Sequence, residues 1–126
     1  MNSTSYHRAA QLSGDWARGL YPHPIPMYSI NSLHVCVGIY FACRADGILL
    51  YVGSAVRPKS RYGIADRIHE HQMHRRGCWR LIWVLPLHDD TPAPTVHLIE
   101  GQIIDLFNPP QNRRRHIPAV MPRRGI

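Results

Sequence analysis

The stretch VGIYFACRADGILLYVGSA, residues 37–55, constrains the fold more than any other part of the chain: two apolar runs rich in β-branched and aromatic side chains flank the turn signal Ala45-Asp46-Gly47. It reads as a β-hairpin. If Cys43 and Ile48 close a four-residue loop, paired positions add to 91 and Tyr40 falls directly opposite Tyr51. Residues two apart share a strand face, so Val35, Val37, Ile39 and Phe41 form a bulky apolar side, while Cys36, Gly38, Tyr40 and Ala42 form the other. Two readings of the phenols stand at this point. They are a cross-strand aromatic pair worth roughly 0.2–1 kcal/mol, or they are set among small neighbours to leave room for something else.

The strands are expected at 34–43 and 48–53, followed by the basic loop SAVRPKSRYG and a helix near 64–76 that Gly77 would stop. WRLIWVLPL, 79–87, reads as a third strand. Thr95 offers a cap for a helix over 96–107, which Asn108-Pro109-Pro110 ends. Upstream, LYPHPIPMYSI spaces its prolines too closely for a helix, so residues 1–33 read as an extended N-terminal arm. The expected organisation is an arm at 1–33, one α+β domain at 34–115 with a small three-stranded antiparallel sheet flanked by helices, and a basic tail at 116–126.

A formal charge of +7 points to a polyanionic partner. The three cysteines, Cys36, Cys43 and Cys78, form no C-x-x-C pair and fit a reducing, cytoplasmic setting. No apolar run reaches membrane-spanning length, so no membrane partner is expected. The first twenty residues also lack the apolar core of a secretory signal.

One acid stands out. On the last helix Val96, Ile99, Ile103, Leu106 and Phe107 make an apolar stripe, and Glu100 falls within or beside it. A carboxylate taken out of water must be paired, protonated or bound to a cation. Pairing with Arg67 or another arginine is one answer, and a hard-cation ligand facing a cleft is the other. On the preceding helix Arg67 and His71 lie four apart on one face, beside Ile64 and Ile68. His69, His71 and His74 match no familiar zinc spacing.

Taken in order, GIY at 38–40, YVG at 51–53 with the tyrosines eleven positions apart, Arg67-x-x-x-His71, Glu100, and Asn112 twelve residues later resemble the GIY-YIG nuclease family. The resemblance covers residues 34–115. Val52 stands where the family usually has isoleucine, and His71 resembles the homing and restriction branch, where the excision-repair branch carries tyrosine.

The resemblance implies a phosphodiester hydrolase acting on nucleic acid, DNA before RNA, in a mobile-element or restriction-like setting. Glu100 would hold Mg²⁺ or Mn²⁺ largely hydrated. Arg67 would bind the non-bridging oxygens as charge develops at phosphorus. Tyr40 is the candidate base, with Tyr51 positioning the water or the phosphate, and His71 would pass the proton on or act as base itself. Asn112 would hold a phosphate or fix the tyrosine network. Arg57, Lys59 and Arg61 in the loop, with Arg113, Arg114 and Arg115 beyond the last helix, would track the phosphate backbone. Intrinsic specificity would then be low, or supplied by the arm, by a second copy or by a targeting partner. The rival reading is a non-catalytic nucleic-acid-binding module of the same fold.

Overall fold

Turn chemistry decides how the central hairpin closes. The computed structural model of the chain describes residues 1–75, 78–112 and 122–125, and the side chains of 73–75 are not among what it describes. Gly77 and Arg113, Arg114 and Arg115 lie outside the described residues, as does most of the tail. Within the hairpin, Arg44 N–H donates to the Ile48 carbonyl at 2.9 Å and Gly47 N–H to the Arg44 carbonyl at 2.9 Å, with Gly47 at φ 89°. This is the three-residue loop in which a glycine at positive φ ends the turn.

The loop pairs Cys43 with Leu49, one residue later than expected, and a bulge then sets Ala42 opposite Tyr51 and Tyr40 opposite Gly53. Tyr40 and Tyr51 are therefore diagonal rather than directly opposed, which corrects the sequence register. The two one-residue slips add. A single slip would have turned Tyr51 to the other face, whereas two restore it.

The hairpin strands are Val37–Cys43 and Leu49–Val56, and a later strand, Leu81–Pro86, pairs antiparallel on the first of them. Among the described residues the sheet has four strands rather than three: Ile25–Pro26, from the segment expected to be an arm, adds an edge by pairing Ile25 with Ile82 and Pro26 with Leu81. Naming these β1 (Ile25–Pro26), β2 (Val37–Cys43), β3 (Leu49–Val56) and β4 (Leu81–Pro86), the order is β1-β4-β2-β3. The architecture is α+β, an antiparallel sheet with flanking helices.

The helices are α1 (Ser3–Ser13), α2 (Gly63–Arg75) and α3 (Ala93–Phe107). α1 corrects the extended arm. The Asn2 side chain accepts from Ser5 N–H at 2.8 Å, an N-cap that starts the helix, and Tyr6 and Ala9 on its inner face are fully buried. The Tyr6 hydroxyl donates to the Val84 carbonyl at 2.7 Å and accepts from Tyr21 N–H at 2.9 Å, tying helix, sheet and following segment together. α3 begins at Ala93 with Pro92 as cap, earlier than the expected Thr95 cap, because prolines are tolerated in a first turn that lacks donors to lose. It ends at Asn108 in the left-handed conformation, φ 47°, as the Asn-Pro-Pro signal requires.

Both faces of the sheet are covered, so every β2 residue is buried. On one face Val37, Ile39 and Phe41 pack with Tyr6 and Trp16 and with Val96, Ile99 and Ile103 of α3. On the other, Tyr40 and Ala42 pack with Tyr51, with Trp79, and with Ile64 and Ile68 of α2. Leu106, expected on the inner stripe of α3, is 38 % exposed. No described helix is long and apolar enough to cross a membrane.

Candidate active site

The tyrosine face of the sheet and the inner face of α2 meet over the glycines of the hairpin. A Cβ on Gly38 would approach the Leu85 carbonyl oxygen to 2.8 Å and the Ile64 side chain to 3.3 Å, so its absence lets the first turn of α2 settle on β2. A Cβ on Gly53 would fall 2.3 Å from Tyr40 Cζ, so that glycine gives the phenol ring its place across β3.

Settled there, Tyr40 is fully buried and its hydroxyl is hydrogen-bonded to Nδ1 of His71 on α2. Four rings form one aromatic wall. Tyr40 and Tyr51 centroids are 6.1 Å apart, His71 stands edge-on to Tyr51 at 5.6 Å, and Trp79 stacks on Tyr51 at 5.4 Å with a 20° interplanar angle. The pattern analysis missed Trp79 as a site-wall residue. Its signal was available: an aromatic just before a strand that pairs with β2, whose Tyr40 faces Tyr51 of β3 on the same side of the sheet.

Trp79 Nε1–H donates to Gln111 Oε1 at 3.0 Å, and Gln111 N–H donates to the Leu50 carbonyl at 3.0 Å. Asn112 sits beside it. Its side-chain amide donates to the Val52 carbonyl and its side-chain oxygen accepts from Val52 N–H, each at 2.8 Å, so one side chain pairs with the outer edge of β3 as a strand would. The residue thus acts on the backbone next to Tyr51.

A cavity of about 550 Å³ opens beside this wall. Tyr51 and Ser54 of β3, Arg57 just after it, Arg67 and His71 of α2, and His97 and Glu100 of α3 line it. Four of the expected site residues, Tyr51, Arg67, His71 and Glu100, are brought to one surface by three different elements. Tyr40 lies behind His71, and Asn112 lies along β3; neither is on the lining. Glu100 is 4 % exposed within its wall.

Arg57, expected among the backbone-tracking residues, belongs to this cavity as well. Its guanidinium pairs with both Glu70 carboxylate oxygens at 2.8 Å, and Arg67 Nη1 reaches the same carboxylate at 3.5 Å. The Arg57 hydrogen bond, with smaller help from the Arg57 and Arg67 charges, holds the Glu70 carboxyl below its ordinary range. The result is two arginines set side by side at the cavity, a geometry suited to a phosphate. Lys59 and Arg61 are exposed in the loop that follows, with the Arg61 guanidinium 5.9 Å from the Tyr62 ring.

His97 is the lining residue that sequence reasoning passed over. Its place three residues before Glu100 was the signal, since that spacing puts both on one helical face. No protein-family model, curated protein or solved structure matches the chain, so the chemistry of this cavity is argued from its own residues.

Proposed function

We propose that the protein is a metal-dependent endonuclease of the GIY-YIG type that hydrolyses phosphodiester bonds of nucleic acid, DNA in the first instance. The observation that supports this most is the convergence of Tyr51, Arg67, His71 and Glu100 on one cavity from three separate elements. A purely structural role for the tyrosines would not require a cationic and an acidic side chain to meet there.

The donor set fits a hydrated hard cation. Glu100 is the one carboxylate among the described lining residues, and no group of three His, Cys, Asp or Glu among the described residues is placed to enclose an ion. Mg²⁺ and Mn²⁺ commonly accept such a site, keeping several waters. Bound at Glu100, the ion would supply positive charge to the departing 3′ oxygen.

The chain's own groups do the rest. Arg57 and Arg67 bind the non-bridging phosphate oxygens, and their charge is fixed at any working pH. That charge matters most when phosphorus becomes five-coordinate, so the pair favours the transition state. Water attacks phosphorus, the bond to the 3′ oxygen breaks, and the water's proton must leave. His71 lines the cavity whereas Tyr40 is buried behind it, which favours His71 as the group that meets the water. With His71 Nδ1–H donating to the Tyr40 oxygen, Nε2 carries the lone pair that takes the proton. Tyr40 then orients the imidazole, and Tyr51 forms the wall against which the water is placed.

The test is plasmid relaxation with Mg²⁺, with and without chelator, for the wild type and Glu100→Gln. Chelator-sensitive cutting that Glu100→Gln abolishes, with nucleic-acid affinity kept within a few-fold, supports the reading. Binding without cutting in the wild type would overturn it in favour of the non-catalytic module.

A further inference from the structure

The α3 wall of the cavity presents His97 one turn before Glu100. Residues three apart on a helix are neighbours, with Cβ atoms about 5–6 Å apart. A carboxylate and an imidazole three apart on inward-facing helices recur as ligand pairs in helical metal sites. Here Glu100 is buried in the wall and His97 is exposed, so the two span the cavity from depth to mouth.

Charge adds a second argument. Arg57 and Arg67, two cations that share the single carboxylate of Glu70, line the cavity with one acid, Glu100, so a divalent cation must bind beside net positive charge. A neutral imidazole adds a donor without adding to the charge that the phosphate must also meet. The other lining imidazole, His71, has its Nδ1 engaged by Tyr40. His97 carries no such engagement to the tyrosine wall.

We propose that His97 supplies a nitrogen ligand beside Glu100, and that the cavity therefore takes Mn²⁺ or a later first-row divalent ion in preference to Mg²⁺. Imidazole suits the later ions of that row best and Mn²⁺ least among them, whereas Mg²⁺ keeps to oxygen ligands and water. The inference rests on reading the cavity as a metal-dependent hydrolytic site, but its test reads the metal and not the cleavage.

The full chain is titrated with Mn²⁺, bound ion is counted by electron paramagnetic resonance, and spin-echo modulation reports directly coordinated ¹⁴N. Mg²⁺ is measured by displacement of Mn²⁺. The wild type should show nitrogen modulation. His97→Ala should lose it and weaken Mn²⁺ binding about tenfold or more, while the Mg²⁺ affinity changes less than about twofold, because Mg²⁺ draws little on imidazole. His71→Ala should keep the modulation. Circular dichroism checks that each variant folds, and His97, being exposed, is a site where truncation leaves the core intact. Modulation that is absent from the wild type, survives His97→Ala or vanishes in His71→Ala overturns the inference. Plasmid cleavage separates the two readings. Cutting with Mg²⁺ but no nitrogen signal sinks the His97 ligand alone, whereas a His97-dependent signal without cutting leaves the metal site standing and removes the nuclease.

Discussion

Gly53 lies under the ring of Tyr40, so close that a methyl group on it would sit 2.3 Å from Cζ and 2.4 Å from the phenolic oxygen. Tyr40 has nowhere to retreat, being fully buried against Tyr51, Trp79 and His71. Gly53→Ala should therefore destabilise the fold by roughly 1–3 kcal/mol, the usual scale for forcing extra volume into a packed interior. Urea unfolding measures it. In a Tyr40→Ala background the same substitution should cost much less, with a coupling above about 0.5 kcal/mol. Equal costs in both backgrounds would mean the ring is not what Gly53 accommodates.

Tyr40 and His71 should differ in how they shape the pH dependence of the proposed cleavage. If His71 takes the proton, His71→Ala removes the rising limb of the single-turnover profile. Tyr40→Phe should slow the reaction yet keep the limb, since it removes only the oxygen that orients the imidazole. The opposite pattern would return the proton to Tyr40.

Asn112 should matter to stability and site alike. Asn112→Ala breaks two hydrogen bonds to Val52 and leaves both backbone groups to find other partners. The expected loss is about 1–3 kcal/mol. Asn112→Asp should be at least as costly, because it keeps the acceptor for Val52 N–H but turns a second oxygen toward the Val52 carbonyl. Thermal unfolding of both variants checks the order.

Alkaline pH should weaken the protein. Burial pushes the Cys43 thiol from 9.0 up to about 11, with the amino terminus opposing and the Asp46 charge adding to the rise. Burial likewise raises the Tyr6 phenol. A group whose folded pKa is raised gives stability that is present below its unfolded value and lost as pH climbs through the folded one. The urea midpoint should fall between about pH 9 and about pH 11, and Cys43→Ala should reduce that fall. At neutral pH a maleimide should label exposed Cys78 long before buried Cys43.

The sequence made the larger elements legible for reasons that also explain the errors. Alternating apolar residues around Ala45-Asp46-Gly47 specify a hairpin, and the apolar periods of α2 and α3 specify helices, because these signals are local. Register is not local. It turned on Arg44 rather than Cys43 closing the loop on Ile48 and on one extra residue in β3, and neither leaves a compositional mark. The face of Tyr51 was read correctly only because the two slips compensate. α1 was hidden by its polar composition: two inward residues, Tyr6 and Ala9, hold it, and their partners on β4 and α3 are far along the chain. At the cavity, Glu100 was conspicuous as an acid in an apolar stripe. His97 was not, since an exposed histidine is ordinary until the opposing walls are in place. Asn112 could be placed near the site, but its bond to a strand edge needs the strand's position.

The two margins of the sheet end differently, and the difference bears on how the protein survives at high concentration. An open strand edge is a template on which another chain can extend the sheet. β1 offers such a template for only two residues, one of them Pro26, which has no N–H to give, before the chain turns into a short 3₁₀ segment. Along β3, the side chain of Asn112 already occupies both polar groups of Val52. A foreign strand would have to displace that amide to gain a continuous ladder. An apolar hairpin buried on both faces is in itself a sequence prone to β-aggregation, and these two small devices leave it little margin on which a fibril could start.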